Sequence, residues 1–307
     1  MVLSCTATVG ICAYNEERNI EKLLGNILCE QELSAESEVL VVCSGCTDKT
    51  VETVQKYSDS DKRVKLYVEK ERLGKASAIN RILSNAKGNI ILFVSADTLP
   101  SKRCFTRLIS KLKTPNVGLV CGNPVPTNRT DSLVGKLVQL LWHLHGHVFA
   151  QLNDAGLARH ATEIFCIRQG IVEEIPAGTV NDDAYMAIMT KKKGWLVKYD
   201  SKCRVFIHGP ETFPEYFEQR RRILWGHHQA KKLTGESPQY LVYLLTLYPF
   251  RVFKFVLWLC AKYSPSAVLA FLSTELVVNA AAMIDVFRGK SHSKWSIAAS
   301  TKRVPLR

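Results

Sequence analysis

The sequence predicts an α/β protein, a mostly parallel sheet with helices on both faces, followed by C-terminal hydrophobic helices. Between residue 5 and about 123, short β-rich runs alternate with amphipathic stretches of helix length. A strand followed by a helix before the next strand pairs in parallel. Hydrophobic residues make up 47% of the 307, which suffices for a large core and excludes a disordered chain or a small disulfide scaffold. After Ser237 the composition turns apolar in two long runs.

Taken in order, the expected strands are TATVGICAY, SEVLVVCSG, VKLYVEK, NIILFVSAD and VGLVCGN; the helices between them are EERNIEKLLGNILCE, TDKTVETVQKYS, KASAINRILSNA and SKRCFTRLISKLK. The N-terminal MVLSCTATVGICAY has no basic segment ahead of a long apolar one, so it reads as the first strand and not as a signal peptide. In open sheets of this class ligands bind beyond the carboxyl ends of the strands, where loops 13–16, 43–48 and 95–98 converge. From about 130 to 236 the chain continues through DSLVGKLVQLLWHLHGHVFAQL, short β-like pieces and the basic helix PEYFEQRRRILWGHHQAKKL, without a flexible linker. Residues 1–236 are therefore expected to form one domain.

Residues 237–290 hold the two apolar runs, YLVYLLTLYPFRVFKFVLWLC and PSAVLAFLSTELVVNAAAMIDVF, each about long enough to cross a bilayer. Arg251, Lys254, Glu275, Asn279 and Asp285 interrupt them, and a central charge costs ~2.5 to 3.5 kcal/mol on insertion. These polar groups gather on one side of each helix. That favours helices lying in the membrane interface or packed on the domain over a spanning hairpin. Residues 291–307 are expected to form a basic tail suited to anionic lipid.

Lysine plus arginine (41) exceed aspartate plus glutamate (28) by 13. The excess points to an anionic partner without choosing among nucleic acid, anionic lipid and a phosphorylated small molecule. The ten cysteines are scattered through apolar runs and are expected to be mostly buried, reduced thiols. Cys43 and Cys46 form a C-x-x-C, but no second pair stands at zinc spacing. His143, His145 and His147, two apart on an expected helix, fall on different faces and do not suit a metal cluster.

Four segments in order carry a more specific signal: AYNEERNI (13–20), SGCTDKT (44–50), LGKASAIN (73–80) and VSADTLP (94–100). With NDDAYMA (181–187) and QRRRILWGH (219–227), the chain resembles the inverting family 2 glycosyltransferases over roughly residues 5–236. The resemblance implies a Rossmann-like, A-type glycosyltransferase fold, a nucleotide-sugar donor, a divalent metal (Mg or Mn) and a hydroxyl or phosphate acceptor on a glycan or lipid carrier. By motif position, Ala13, Tyr14 and Glu16 line the base and ribose pocket, Ser44 and Asp48 belong to the second donor loop, and Lys75 faces phosphate from a helix N-terminus. Ser95 and Asp97 stand at the metal position. A departing nucleotide diphosphate needs its charge neutralised, which a cation held by one carboxylate and two phosphates does. The chain departs from the family in two places: Cys43 replaces an aspartate of the second loop, and Ser95 replaces the first of two acidic residues. Each loop residue also has a local reading, Asn15 as a helix N-cap, Thr47 and Asp48 as caps of the next helix, and Lys75 as a solvated lysine.

Asp183 is the implied general base that takes the acceptor proton, with Asp182 beside it; both also suit the start of the helix that follows. Gln219, Arg222 and Trp225 are implied to face acceptor or diphosphate, a guanidinium being well matched to phosphate. Processive synthases carry Q-x-x-R-W, whereas here Arg222 and Trp225 are three apart, so non-processive transfer is expected. His208, before Gly209 and Pro210, could reach the metal or serve as an ordinary loop histidine. The expectation is a membrane-associated glycosyltransferase at the cytoplasmic face. Its rival is a noncatalytic nucleotide- or glycan-binding homologue that anchors a partner at the membrane, kept open by Cys43 and Ser95. Nucleic-acid binding explains the charge but none of the carboxylate loops.

Overall fold

The computed structural model describes residues 6–238, 249–292 and 298–302. One sheet contains β1 (Ala7–Ala13), β2 (Glu38–Ser44), β3 (Val64–Glu69), β4 (Ile90–Val94), β5 (Thr98–Pro100), β6 (Val117–Pro126), β7 (Ile164–Arg168) and β8 (Leu196–Ile207), in the order β3-β2-β1-β4-β7-β6-β8-β5. The helices are α1 (Ile20–Glu30), α2 (Thr50–Ser60), α3 (Lys75–Asn85), α4 (Cys104–Leu112), α5 (Leu133–Asp154), α6 (Asp182–Lys192), α7 (Phe213–Thr234), α8 (Pro249–Tyr263) and α9 (Pro265–Phe287).

The β3-β2-β1-β4 half is wholly parallel, as the alternating sequence predicts. The other half is mixed, because β7 runs antiparallel to both β4 and β6, and β5 antiparallel to β8. This reversal matters for the site. An antiparallel strand begins where its parallel neighbours end, so the residues just before β7 arrive at the carboxyl edge of β4.

Strand β2 shows how the layers form. Every residue of EVLVVCS is buried, the near-continuous apolar run of a strand covered on both faces. Val39, Val41 and Cys43 pack with Leu23 and Ile27 of α1 and Phe105 and Leu108 of α4. Leu40 and Val42 pack on the opposite face with Ile79 and Ile82 of α3. The period of two in the strand thus divides the core into two layers.

Cys104 and Cys203 form a disulfide with their Cα atoms 5.0 Å apart, tying α4 to β8. This corrects the expectation of reduced thiols at those two positions. They are 99 residues apart, so no local pattern announces the pairing. Cys43 and Cys46 are free thiols.

Helix α7 has clear ends. The Thr212 hydroxyl bonds the Glu215 carboxylate at 3.0 Å and Pro214 sits in the first turn, while Gly235, at φ 77°, closes the helix with its N–H on the Lys231 carbonyl. Along α7 and α5 lie α8 and α9, packed through Leu137, Tyr216, Tyr263 and Phe271 and, further along, through Leu224, Val278 and Ala282. The two acids that interrupt the second apolar run are turned inward, whereas Arg251 and Lys254 of α8 are exposed. Glu275 accepts from Arg220 at 2.7 Å and from the Tyr216 hydroxyl at 2.9 Å, and Asp285 meets Arg221 at 2.6 Å and His292 at 2.8 Å. The opposite faces are apolar and exposed, with Phe250 and Phe287 each 82% accessible. Among the described residues α9 is the one helix long and apolar enough to cross a membrane; the first apolar run falls partly outside them.

Candidate active site

A cavity of about 770 Å³ opens beyond the carboxyl ends of β1, β2 and β4, within the range of small-molecule sites. Ala13, Tyr14, Glu16, Ser44, Lys75, Ser95, Asp97, Asp182, Asp183, His208, Gln219 and Arg222 all line it. Asp48 and Trp225 do not.

At the donor end, Asn15 adopts a left-handed conformation with φ 53°. Its amide donates to the Thr47 hydroxyl at 3.1 Å and accepts the Thr47 N–H at 2.8 Å. Asn15 therefore stitches the first loop to the second instead of capping α1, where Asn19 holds the cap position. Glu16 is buried, accepts from the Asn19 amide at 2.8 Å and pairs with Lys302. Lys302 also donates to the Tyr14 carbonyl at 3.3 Å, and burial lowers its ammonium to about 8. The Arg72 guanidinium lies 4.0 Å over the Tyr14 ring. Ser44 reaches the cavity and accepts from the Leu73 N–H at 3.2 Å.

Asp48, expected in the second donor loop, stands back from the cavity lining. Its carboxylate accepts the Thr50 N–H at 2.9 Å and the Glu17 N–H at 3.1 Å, so it fastens α2 to the first loop. Trp225, expected to face the acceptor, also stands outside that lining. It lies one helical turn beyond Arg221, which pairs with Asp285 of α9, and it shares that face, packed beside Val278 and Ala282 with the His292 ring 5.4 Å away. Gln219, Arg222, Ile223 and His227 form the cavity face of the same helix.

At the centre, Lys75 begins α3 after Gly74, whose φ of 98° few other residues tolerate. The Lys75 ammonium meets Asp182 at 2.9 Å. Burial alone would lower it, but Asp182, Glu163 and Asp183 together hold it above its ordinary range. Burial pulls the Arg222 guanidinium below its usual value, opposed by Glu163, Asp182, Asp183 and Asp97. Burial, and then Asp182, push Asp183 above the usual carboxylate range, with the nearby His160 opposing. The His160 ring nitrogen is 3.7 Å from the Asp183 carboxylate. His145 and His227 stand on either side of His160, held neutral because burial presses both well below the ordinary imidazole range. His143 turns instead to Tyr263 and His147 stacks on Phe255, so the three evenly spaced histidines are scattered.

The acidic loop is clamped by α7. Asn181 donates to the Ile223 carbonyl at 2.9 Å, and Gln229 accepts the Val180 N–H at 2.9 Å. A Cβ on Gly226 would meet the Asn181 amide at 2.5 Å, which is why this turn of α7 needs a glycine.

The family model Glycosyl transferase family 2 matches residues 8–175. The chain belongs to that family. Over 264 residues it is 31% identical to Glycosyltransferase AglE of Haloferax volcanii, covering 84% of this chain and 81% of that one. Over 226 residues it is 24% identical to the poly-β-1,6-N-acetyl-D-glucosamine synthase of Staphylococcus aureus, covering 72% of this chain and 54% of the synthase. The chain thus spans about half the length of that relative. Two solved structures share the fold. One is the mannosyltransferase PcManGT from Pyrobaculum calidifontis in complex with GDP-Man and Mn2+, with TM-score 0.62 and 22% identity over 97% of this chain and 78% of that one. The other is S. aureus TarS 1-349 in complex with UDP, with TM-score 0.52 and 15% identity over 96% and 95%. This family 2 glycosyltransferase therefore has the A-type fold that its motifs imply.

Oxygen donors at the head of the cavity suit a hard divalent cation. Asp97 is half-buried there, and desolvation together with Glu163 raises its carboxyl to about 6, the mark of negative charge crowded into low dielectric. No three His, Cys, Asp or Glu side chains among the described residues enclose a metal unaided, which fits a cation that takes most of its ligands from phosphates and water. His208 spends its two ring nitrogens on Thr127 at 3.1 Å and Glu211 at 3.0 Å, so a metal there would displace one of these partners. Sequence reasoning missed Glu163, Arg72, His160 and Lys302, which reach the cavity from the position just before β7, two loops and the C-terminal segment.

Proposed function

We propose that this family 2 glycosyltransferase moves a sugar from a nucleoside diphosphate donor to a hydroxyl or phosphate acceptor, non-processively and with inversion. One observation carries the reading: Asp97, the Lys75–Asp182 pair, Asp183 and Arg222 converge on one cavity at the carboxyl edge of the sheet. Tyr14, Glu16 and Ser44 face the nucleoside, while Lys75 and Arg222 face the diphosphate. A divalent cation bound by Asp97 and the phosphates would neutralise the leaving group. Asp183 takes the acceptor proton as the acceptor oxygen attacks the anomeric carbon from the side opposite the nucleotide. Its raised proton affinity suits that work, and His160 keeps it from rising further. Trp225, turned onto α9, offers the cavity no platform for a growing polymer, which supports single transfer.

The apolar outer faces of α8 and α9 support placement on a membrane surface, with the acids of α9 paired to the domain, Arg251 and Lys254 of α8 exposed to meet anionic headgroups, and the helices lying in the interface. A lipid-linked or membrane-proximal glycan acceptor at the cytoplasmic face follows from that placement. The test is release of nucleoside diphosphate from a panel of GDP- and UDP-sugars by the purified chain, with and without Mn2+ and in vesicles. Turnover of one donor that stops on chelation is expected; nucleotide binding without turnover of any donor would favour the noncatalytic rival.

A further inference from the structure

Strand β4 carries serine where the family motif has its first carboxylate, but the sheet supplies another acid at that point. In the β4–β7 ladder Val94 stands opposite Ile164. One step on, the Ser95 N–H donates to the Glu163 carbonyl at 3.1 Å, so these two residues also face each other. Side chains directly opposed in an antiparallel pair rise on the same face, with Cβ atoms about 5 Å apart. Here the Ser95 hydroxyl donates to the Glu163 carboxylate at 2.7 Å. Both line the cavity with Asp97, which lies on the same segment two residues beyond Ser95.

We propose that Glu163, presented by β7 and held by Ser95, supplies the carboxylate that β4 lacks, so that Glu163 and Asp97 together bind the divalent cation of the nucleotide complex. The serine is then a positioning residue for an acid moved to the neighbouring strand. This explains how a chain without the acidic pair keeps two carboxylates at the head of its cavity. The competing role for Glu163 is a counter-ion for Lys75 and Arg222, both of which feel its charge.

This rests on the cavity being the nucleotide-sugar site, so the experiment separates the two. Binding of MnCl2 to the purified full chain is followed by electron paramagnetic resonance, alone and with GDP or UDP, and nucleotide affinity is measured by calorimetry with and without Mn2+. Glu163→Gln, close in shape, should weaken Mn2+ binding roughly tenfold or more while metal-free nucleotide affinity is not weakened, since Lys75 and Arg222 lose a competing anion, and melting temperature holds. Ser95→Ala should lose less. The exchange Ser95→Asp with Glu163→Ser should recover Mn2+ binding, and the loss in Glu163→Gln alone is what a counter-ion role would not produce. Retained Mn2+ binding in Glu163→Gln, with loss in Asp97→Asn, overturns the inference and leaves the site intact. Retention in both variants overturns the metal reading itself.

Discussion

Two regions of this protein gather buried charge, and they treat it differently. Between α7 and α9, Glu275 and Asp285 are each closed by arginine, with further hydrogen bonds from Tyr216 and His292. In the cavity, Asp97, Glu163, Asp182 and Asp183 share Lys75 and Arg222. The carboxyl groups of Asp97 and Asp183 are consequently held above their ordinary range by burial. A satisfied ion pair fixes one element on another, whereas crowded carboxylates favour a ligand that brings positive charge or a proton to remove. The arginine triplet of α7 spans both regions: Arg221 fastens α9, Arg222 faces the cavity, and Arg220 pairs with Glu275 of α9 while also lining the cavity.

The sharpest way to break the comparison is Asp183→Asn, expected to lower transfer by about 10²- to 10⁴-fold with nucleotide binding unchanged, by steady-state rates and calorimetry. Next, Arg220→Ala should destabilise the fold by roughly 3 to 5 kcal/mol, since it strands a half-buried carboxylate; urea unfolding reads the loss, and a small change would mean the pair is solvent-screened. Gly226→Ala falls between the regions, pushing the Asn181 amide and with it the acidic loop. A cost of about 1 to 3 kcal/mol with an accompanying fall in rate is expected from thermal melts and kinetics. Leu276→Ser on the exposed face of α9 should weaken binding to anionic vesicles by roughly tenfold in co-sedimentation and leave soluble turnover intact. The smallest effect concerns pH. Asp183 works only when ionised, so activity rises with pH along a limb above that of an ordinary aspartate. His160→Gln removes the group that holds this carboxyl down and should move the limb further up.

The donor half of the fold was legible because its information is local. Alternating strands and helices announce parallel order, and three loops then share one edge. What the sequence hid depends on contacts between distant segments. Glu163 reaches Asp97 only through the antiparallel register of β7, and Cys104 finds Cys203 across 99 residues. Trp225 was assigned to the acceptor from its motif, but the 100° step along α7 carries it to the α9 face with Arg221. Asp48 suits either a donor loop or a helix cap in sequence, and its hydrogen bonds to the Thr50 and Glu17 N–H groups are those of the cap. Lys302, expected in a lipid-facing tail, lies against Glu16 because the C-terminal segment returns to the cavity.

The claim that the crowded carboxylates form the reaction centre, and the paired ones do not, is tested most directly by one assay on three proteins. Release of nucleoside diphosphate from the preferred sugar donor is measured across a Mn2+ titration for the native chain, Asp97→Asn and Glu275→Gln, below their melting temperatures. Asp97→Asn is expected to abolish release at every Mn2+ concentration, while Glu275→Gln keeps the native Mn2+ dependence despite reduced stability. Native release from Asp97→Asn, or equal loss in both variants, would contradict it.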